Sequence, residues 1–123
     1  MLFARDPVTG ANELIIEAAW GLGESVVAGR VIPDRYRLGP AGAPLEWRPG
    51  RKDTAVRPRE DGGTIEVPVA SHLVSALCLD AAALGTLFAL GRRCEDVLGA
   101  GQDVEWAFAR GRVVLLQSRP ITT

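Results

Sequence analysis

Glu105, Gln117 and Arg119 place a carboxylate, an amide oxygen and a guanidinium close together near the end of this chain. Glu105 belongs to Gln102-Asp103-Val104-Glu105-Trp106, and the other two belong to Gln117-Ser118-Arg119-Pro120-Ile121-Thr122. Both stretches read as strands, joined at Ala109-Arg110-Gly111-Arg112. A carboxylate and a neutral amide oxygen are hard donors of the kind Mg2+ accepts, with phosphate and water supplying the rest. A guanidinium two residues further on can neutralise phosphate charge that builds during transfer. These side chains therefore suit the holding of Mg2+ and the phosphates it bridges.

Whether the three meet depends on the turn. Side chains alternate between the faces of a strand. A two-residue loop at Arg110-Gly111 pairs Glu105 with Leu116 and sends Gln117 to the opposite face. A three-residue loop, Arg110-Gly111-Arg112, pairs Glu105 with Gln117 and Asp103 with Arg119. It also gathers Val104, Trp106, Phe108, Val114 and Leu116 on one apolar face. A one-residue slip would turn charge toward the core, so the three-residue loop is expected. Spacing alone leaves a second reading open, in which Asp103 and Arg119 form a cross-strand ion pair on a solvated face.

The rest of the chain must position this hairpin. Residues 1–5 read as a strand, Asp6-Pro7-Val8-Thr9-Gly10 as a turn, and residues 13–18 as the return strand. The first strand, Met1 to Arg5, is expected to lie exposed at a sheet edge, where it offers a docking edge to a partner lobe or a second copy. Gly21-Leu22-Gly23-Glu24 before Val26-Val27-Ala28 suits a turn into a short helix ending at Gly29. That turn either offers N–H groups to phosphate or is a plain connector. Residues 35–38 and 45–48 form a second expected hairpin. Residues 49–63 read as a polar surface loop, from which Lys52 and Arg57 either reach a phosphate or are simply solvated. Residues 64–69 suit an edge strand because of Pro68. One long helix starts after the N-cap Asp80 and ends at Gly99, with Leu84, Leu87, Phe88, Gly91, Cys94 and Leu98 on its buried face. Periodicity does not decide between helix and strand for residues 73–79. The expected architecture is one α+β unit, an antiparallel sheet with a single main helix packed on it.

Bulk properties narrow the function. The 123 residues fit one core, and 14 basic against 15 acidic side chains leave a net charge of -1. That balance speaks against a nucleic-acid surface. Cys78, Cys94 and the lone His72 cannot make a four-ligand zinc site, and the cysteines read as reduced core thiols. No apolar run approaches the roughly 18 residues that would span a membrane, and no signal-peptide pattern is present. A cytoplasmic location is the resulting expectation.

Several motifs in a fixed order carry a resemblance. They are Phe3-Ala4-Arg5-Asp6-Pro7-Val8-Thr9-Gly10, then Glu17-Ala18-Ala19-Trp20-Gly21-Leu22-Gly23-Glu24-Ser25-Val26-Val27-Ala28-Gly29, then Pro33-Asp34-Arg35-Tyr36. Gln102-Asp103-Val104-Glu105-Trp106-Ala107 and Leu115-Leu116-Gln117-Ser118-Arg119-Pro120-Ile121-Thr122 follow. The set resembles the nucleotide-binding domain of phosphoenolpyruvate synthase and pyruvate phosphate dikinase, a domain rifampicin phosphotransferases share. It covers nearly the whole chain and is weakest over residues 40–77.

The resemblance implies the C-terminal part of an ATP-grasp domain, with ATP between two lobes. It implies Mg2+ binding by Glu105 and Gln117 and phosphate contact by Arg119, which would also be the catalytic cation. Ala4 stands where a threonine is common. The N-terminal lobe with its phosphate clamp, the swivelling histidine domain and the pyruvate-binding domain have no counterpart in these residues, and His72 has no matching context. The chain is therefore expected to be a single partial domain that needs a missing N-terminal lobe, in cis or in trans. Its expected function is the Mg-ATP-binding half of a phosphotransferase, inactive alone. The alternatives are a non-catalytic nucleotide-binding or docking module, or a folded remnant.

Overall fold

The computed structural model describes residues 1–21 and 31–121. The readings placed on Leu22, Gly23, Glu24, the helix at residues 26–28 and its end at Gly29 lie outside the described residues.

The first hairpin forms as its sequence predicts. β1 (Leu2–Phe3) pairs antiparallel with β2 (Leu14–Ala18). In the connecting loop, Asp6 Oδ1 accepts the backbone N–H groups of Val8 at 2.9 Å and Thr9 at 3.2 Å. This is the local bond that makes aspartate a turn former. β3 (Asp34–Leu38) and β4 (Pro44–Arg48) form the second hairpin, with a register shift between Arg37 and Leu38. β7 (Gln102–Ala109) and β8 (Arg112–Pro120) form the closing one.

These six strands make one antiparallel sheet in the order β4-β3-β2-β1-β7-β8. β1 is therefore central, not an exposed edge. Leu2 lies across from Ile16 on one side and from Val104 on the other. The docking edge expected on residues 1–5, for a lobe or a second copy, does not exist; the sheet edges are β4 and β8. Local sequence could not show this, because the strand that covers β1 comes from the far end of the chain. The driving force is burial: Leu2, Leu14, Ile16 and Val104 are all fully enclosed, and each such side chain contributes about 2 kcal/mol.

The cover is α1 (Ala81–Leu98). Asp80 caps it, accepting the N–H of Ala83 at 2.8 Å, and Gly99 ends it. Leu87, Gly91 and Cys94 are buried, while Leu84 and Phe88 pack at the border of the core. A Cβ at Gly91 would come within 3.0 Å of Leu2 and 3.1 Å of Leu14, so glycine here lets the helix lie close on β1 and β2. Leu98, expected on the buried face, is exposed, because it is the last helical residue before the chain turns away at Gly99.

The stretch at residues 49–63 departs most from its expected form. It contains β5 (Thr54–Pro58), which pairs with β6 (Thr64–Pro68) in a separate two-stranded sheet. Ala55 and Val56 are buried, and Gly21 bridges Val56. Lys52 is fully buried in an ion pair with Asp34. Asp34 also accepts the backbone N–H groups of Gly50 and Cys78, each at 2.8 Å. One carboxylate thus ties β3, the 49–53 segment and the 74–79 segment together. Residues 71–79 hold only a short 3-10 turn, Ser71–Leu73, and are fixed by side chains. Trp20 Nε1 donates to Leu73 O at 2.9 Å, and Leu79 N donates to the Tyr36 hydroxyl at 3.1 Å. Among the described residues no helix is long and apolar enough to cross a membrane.

Candidate functional site

The site begins with the turn of the closing hairpin. Ala109 pairs with Arg112, so the loop is the two residues Arg110 and Gly111, at φ 52° and 75°. Two left-handed residues in a two-residue loop match the twist of the flanking strands, and glycine takes that conformation without strain. The three-residue loop expected from sequence is not formed.

Glu105 nevertheless lies across from Gln117, and Asp103 across from Arg119. The register shifts between Glu105 and Trp106, where Leu116 is the extra residue on β8. A β-bulge of this kind inserts one residue and re-aims every side chain beyond it. The bulge does what a longer loop would have done for the polar residues, but not for the apolar ones. Across from Phe108 and Trp106 stand Val113 and Leu115, and Val114 stands across from Ala107. Val113 and Leu115, not Val114 and Leu116, thus join the face of Val104, Trp106 and Phe108. Trp106 and Phe108 pack edge to face at 5.6 Å.

On the opposite face the polar groups assemble. Arg119 Nε lies 3.4 Å from Asp103 Oδ2. The Arg119 side chain is 58% exposed, whereas that of Asp103 is only 13% exposed. Asp103 Oδ1 is buried with no hydrogen-bond partner among the described residues. Asp103 therefore steadies the guanidinium while leaving most of it free to reach an anion. Gln117 is exposed and Glu105 half-buried. Extending the two registers of β1 by one residue puts Met1 between Glu17 and Glu105. Burial lowers the Met1 amine to about 6, against the opposing pull of Glu17, Asp103 and Glu105. Glu17, Asp103 and Glu105 thus surround Met1 on this face, with the exposed Arg119 beside Asp103.

Two hard oxygen donors, from Glu105 and Gln117, stand directly opposite each other. Among the described residues no group of three or more His, Cys, Asp and Glu side chains is arranged to hold a metal. The donor set fits a cation such as Mg2+, which takes few protein ligands and completes its shell with phosphate and water. It does not fit a metal held by protein alone.

Other candidates resolve differently. Lys52 is committed to Asp34 and unavailable to phosphate. Arg57 is exposed and borders a cleft of about 370 Å³ whose walls include Glu17, Trp20, Trp106 and Phe108. That cleft abuts the polar face but is not lined by Glu105, Gln117 or Arg119. His72 is exposed in its short turn. Cys78 and Cys94 are unpaired, and burial together with Asp34 pushes the Cys78 thiol up to about 12. Sequence reasoning missed Glu17 as a neighbour of the site. Alternation along β2 could place it on a face, but not beside Glu105. It also missed the Asp34–Lys52 pair, whose members are too far apart in the chain to leave a local signal.

Comparison with known proteins covers the whole chain. The family model described as the pyruvate phosphate dikinase AMP/ATP-binding domain matches residues 1–123. The chain is 42% identical over its whole length to a probable phosphoenolpyruvate synthase of Methanothermobacter thermautotrophicus, of which it covers 18%. It is 36% identical to a phosphoenolpyruvate synthase of Pyrococcus furiosus and to a rifampicin phosphotransferase of Bacillus subtilis, covering 16% and 14% of them. The chain thus spans less than a fifth of the length of these relatives. A match from the first residue to the last makes this chain a member of the pyruvate phosphate dikinase AMP/ATP-binding domain family.

Proposed function

We propose that the polar face of β7 and β8 is one wall of an Mg-ATP site, in the C-terminal lobe of an ATP-grasp domain serving an ATP-dependent phosphotransferase. Glu105 and the Gln117 side-chain oxygen would hold Mg2+, and Arg119 would contact phosphate. The observation that carries this reading is the pairing of Glu105 with Gln117 and of Asp103 with Arg119 across the bulge. Membership of an AMP/ATP-binding family supports the nucleotide.

Held by Glu105 and Gln117, Mg2+ would supply Lewis-acid stabilisation of phosphate charge. This chain's own contribution is to fix positions. Glu105 and Gln117 sit on paired strands, which hold them at a set separation without ordering a loop. Asp103 restrains Arg119 from behind, so less side-chain freedom is lost when the guanidinium meets phosphate. An opposing lobe, joined in cis or supplied in trans, would bring the remaining phosphate contacts. Without it the face should bind Mg-ATP weakly and transfer nothing. The final phosphoryl acceptor would be selected by other parts of a longer protein, whether pyruvate as in phosphoenolpyruvate synthase or an antibiotic as in rifampicin phosphotransferase.

Calorimetric titration with Mg-ATP checks this. The unaltered chain should bind at roughly millimolar nucleotide, and Arg119→Ala should weaken binding about tenfold, the loss of one charge-assisted hydrogen bond. Glu105→Ala should remove the dependence of binding on Mg2+. Absence of any heat up to about 10 mM nucleotide would sink the stand-alone site.

A further inference from the structure

Two arginines stand opposite each other on the sheet face away from α1. Tyr36 and Leu38 of β3 are buried in the core that α1 covers, so Arg35 and Arg37 point to the other face. Arg37 lies across from Glu46 of β4, and Arg35 lies directly across from Arg48. The first pair is complementary: Arg37 reaches Glu46 at 3.9 Å and Glu13 at 3.0 Å. The second is not. Like charges directly opposite each other, with Cβ atoms roughly 5 Å apart, destabilise a ladder. The ion-pair partner of Arg48 among the described residues is Glu46, at 3.9 Å. That is too long for a hydrogen bond, and Glu46 is already shared with Arg37. Arg35 has Glu17 across from it on β2 but forms no ion pair among the described residues.

Both arginines line a pocket of about 240 Å³, whose other walls are Glu17, Ile32, Pro33 and Pro49. The backbone fixes those walls. Ile32 and Arg51 exchange two backbone hydrogen bonds, at 3.0 and 2.8 Å. Gly50 packs so closely beside them that a Cβ there would collide with the carbonyl groups of Ile32 and Pro33. Its N–H donates to Asp34 Oδ1 at 2.8 Å. Pro33 and Pro49 have φ set by their rings. A pocket already held in shape has little left to order when a ligand enters. Two guanidiniums against the single carboxylate of Glu17 leave its lining net positive.

We propose that this pocket is an oxyanion site, in which a phosphate group lies between Arg35 and Arg48 and accepts hydrogen bonds from both. The anion supplies the countercharge that the facing arginines lack, and the planar fork of a guanidinium matches two phosphate oxygens. Glu17 opposes the anion and keeps the affinity modest. Arg35 on β3 is three strand positions from Glu105 on β7, roughly 14 Å, with β2 and β1 between. The pocket is therefore separate from the face assigned to Mg-ATP, and it stands whether or not that face binds nucleotide.

The experiment titrates inorganic phosphate into the 123-residue polypeptide without Mg2+ or nucleotide, with chloride holding the ionic strength constant. NMR of the arginine Nε–Hε groups is the readout. The Arg35 and Arg48 signals should shift together and saturate at roughly millimolar phosphate. Arg48→Gln should weaken binding about tenfold or more, read at Arg35, and Arg48→Lys, which keeps the charge but not the fork, should weaken it less. Arg93→Gln, an equal loss of charge on the exposed side of α1, should change it by less than about twofold. Glycerol 3-phosphate tests the source: either ligand shifting this pair upholds the site, and the tighter one says whether the free ion or a phosphate ester is preferred. Small shifts spread evenly over all exposed arginines, the mark of an adventitious ion only, overturn the proposal. So does unchanged affinity in Arg48→Gln, the absence of any shift up to about 50 mM phosphate, or binding abolished by Arg119→Ala, which would put the anion on the other face residues.

Discussion

Glu105 lies directly across from Gln117 although the turn between their strands is one residue too short for simple alternation to pair them. Leu116, bulged out of β8 and 60% exposed, supplies the difference. With this two-residue turn, the bulge at Leu116 is what brings the polar face into register.

Removing Leu116 tests whether absorbing one extra residue is all that the bulge does. Without it the two-residue hairpin becomes a regular ladder in which Glu105 still meets Gln117 and Asp103 still meets Arg119. The deletion should keep cross-strand NMR contacts between residues 105 and 117, and its cost should stay within about 1–2 kcal/mol, since little apolar area is lost. Loss of those contacts with the fold intact would show that the bulge also sets the twist the pair requires.

Lys52 presents the opposite case, a cation that looks like a solvated loop residue and is sealed in the interior with Asp34. Lys52→Met leaves a buried carboxylate that keeps the Gly50 and Cys78 N–H groups but loses its charge partner. Urea denaturation should show destabilisation by about 3–5 kcal/mol, the usual cost of breaking a buried pair from one side. An Arg57→Met control on the exposed strand end should change stability by less than about 0.5 kcal/mol.

Cys78 should be chemically quiet. Burial raises its thiol to about 12, and Tyr36, whose hydroxyl accepts from Leu79 N, is raised to about 12 as well. At about pH 8, below the range where an ordinary thiol ionises fully, iodoacetamide should label Cys78 far more slowly in the native chain than in urea. Both groups hold their protons more tightly when folded. Their contribution to stability is present below their ordinary values of 9.0 and 10.0 and is lost as pH rises toward 12. Denaturant midpoints should therefore fall across that alkaline window.

The Met1 amine gives a window of opposite sign. Burial lowers it from 8.0 to about 6, so the unfolded chain binds the proton more tightly than the folded one between those values. Stability should rise with pH from about 6 to 8, by up to about 3 kcal/mol across that interval. Acetylating the amine in the 123-residue polypeptide should flatten this rise. A slope that survives acetylation would place its origin elsewhere.

Local elements and the chemical types at the site are legible in the sequence because their signals act within a few residues, where capping and φ preferences operate. Asp80 and Gly99 bound the helix, Asp6 and Gly10 mark the first turn, and alternation around Arg110-Gly111 marks the closing hairpin. Spacing also set Glu105, Gln117 and Arg119 apart as hard donors beside a cation. What long-range burial controls emerged only in the assembled fold. β1 lies in the middle of the sheet, because Leu2 gains Val104 as a neighbour only when the two ends of the chain meet. A polar stretch became a strand and a buried ion pair, because Asp34 supplies the charge that Lys52 needs to leave water. Glu105 meets Gln117 through a bulge, because the apolar face on one side of Leu116 and the polar face on the other each require their own register.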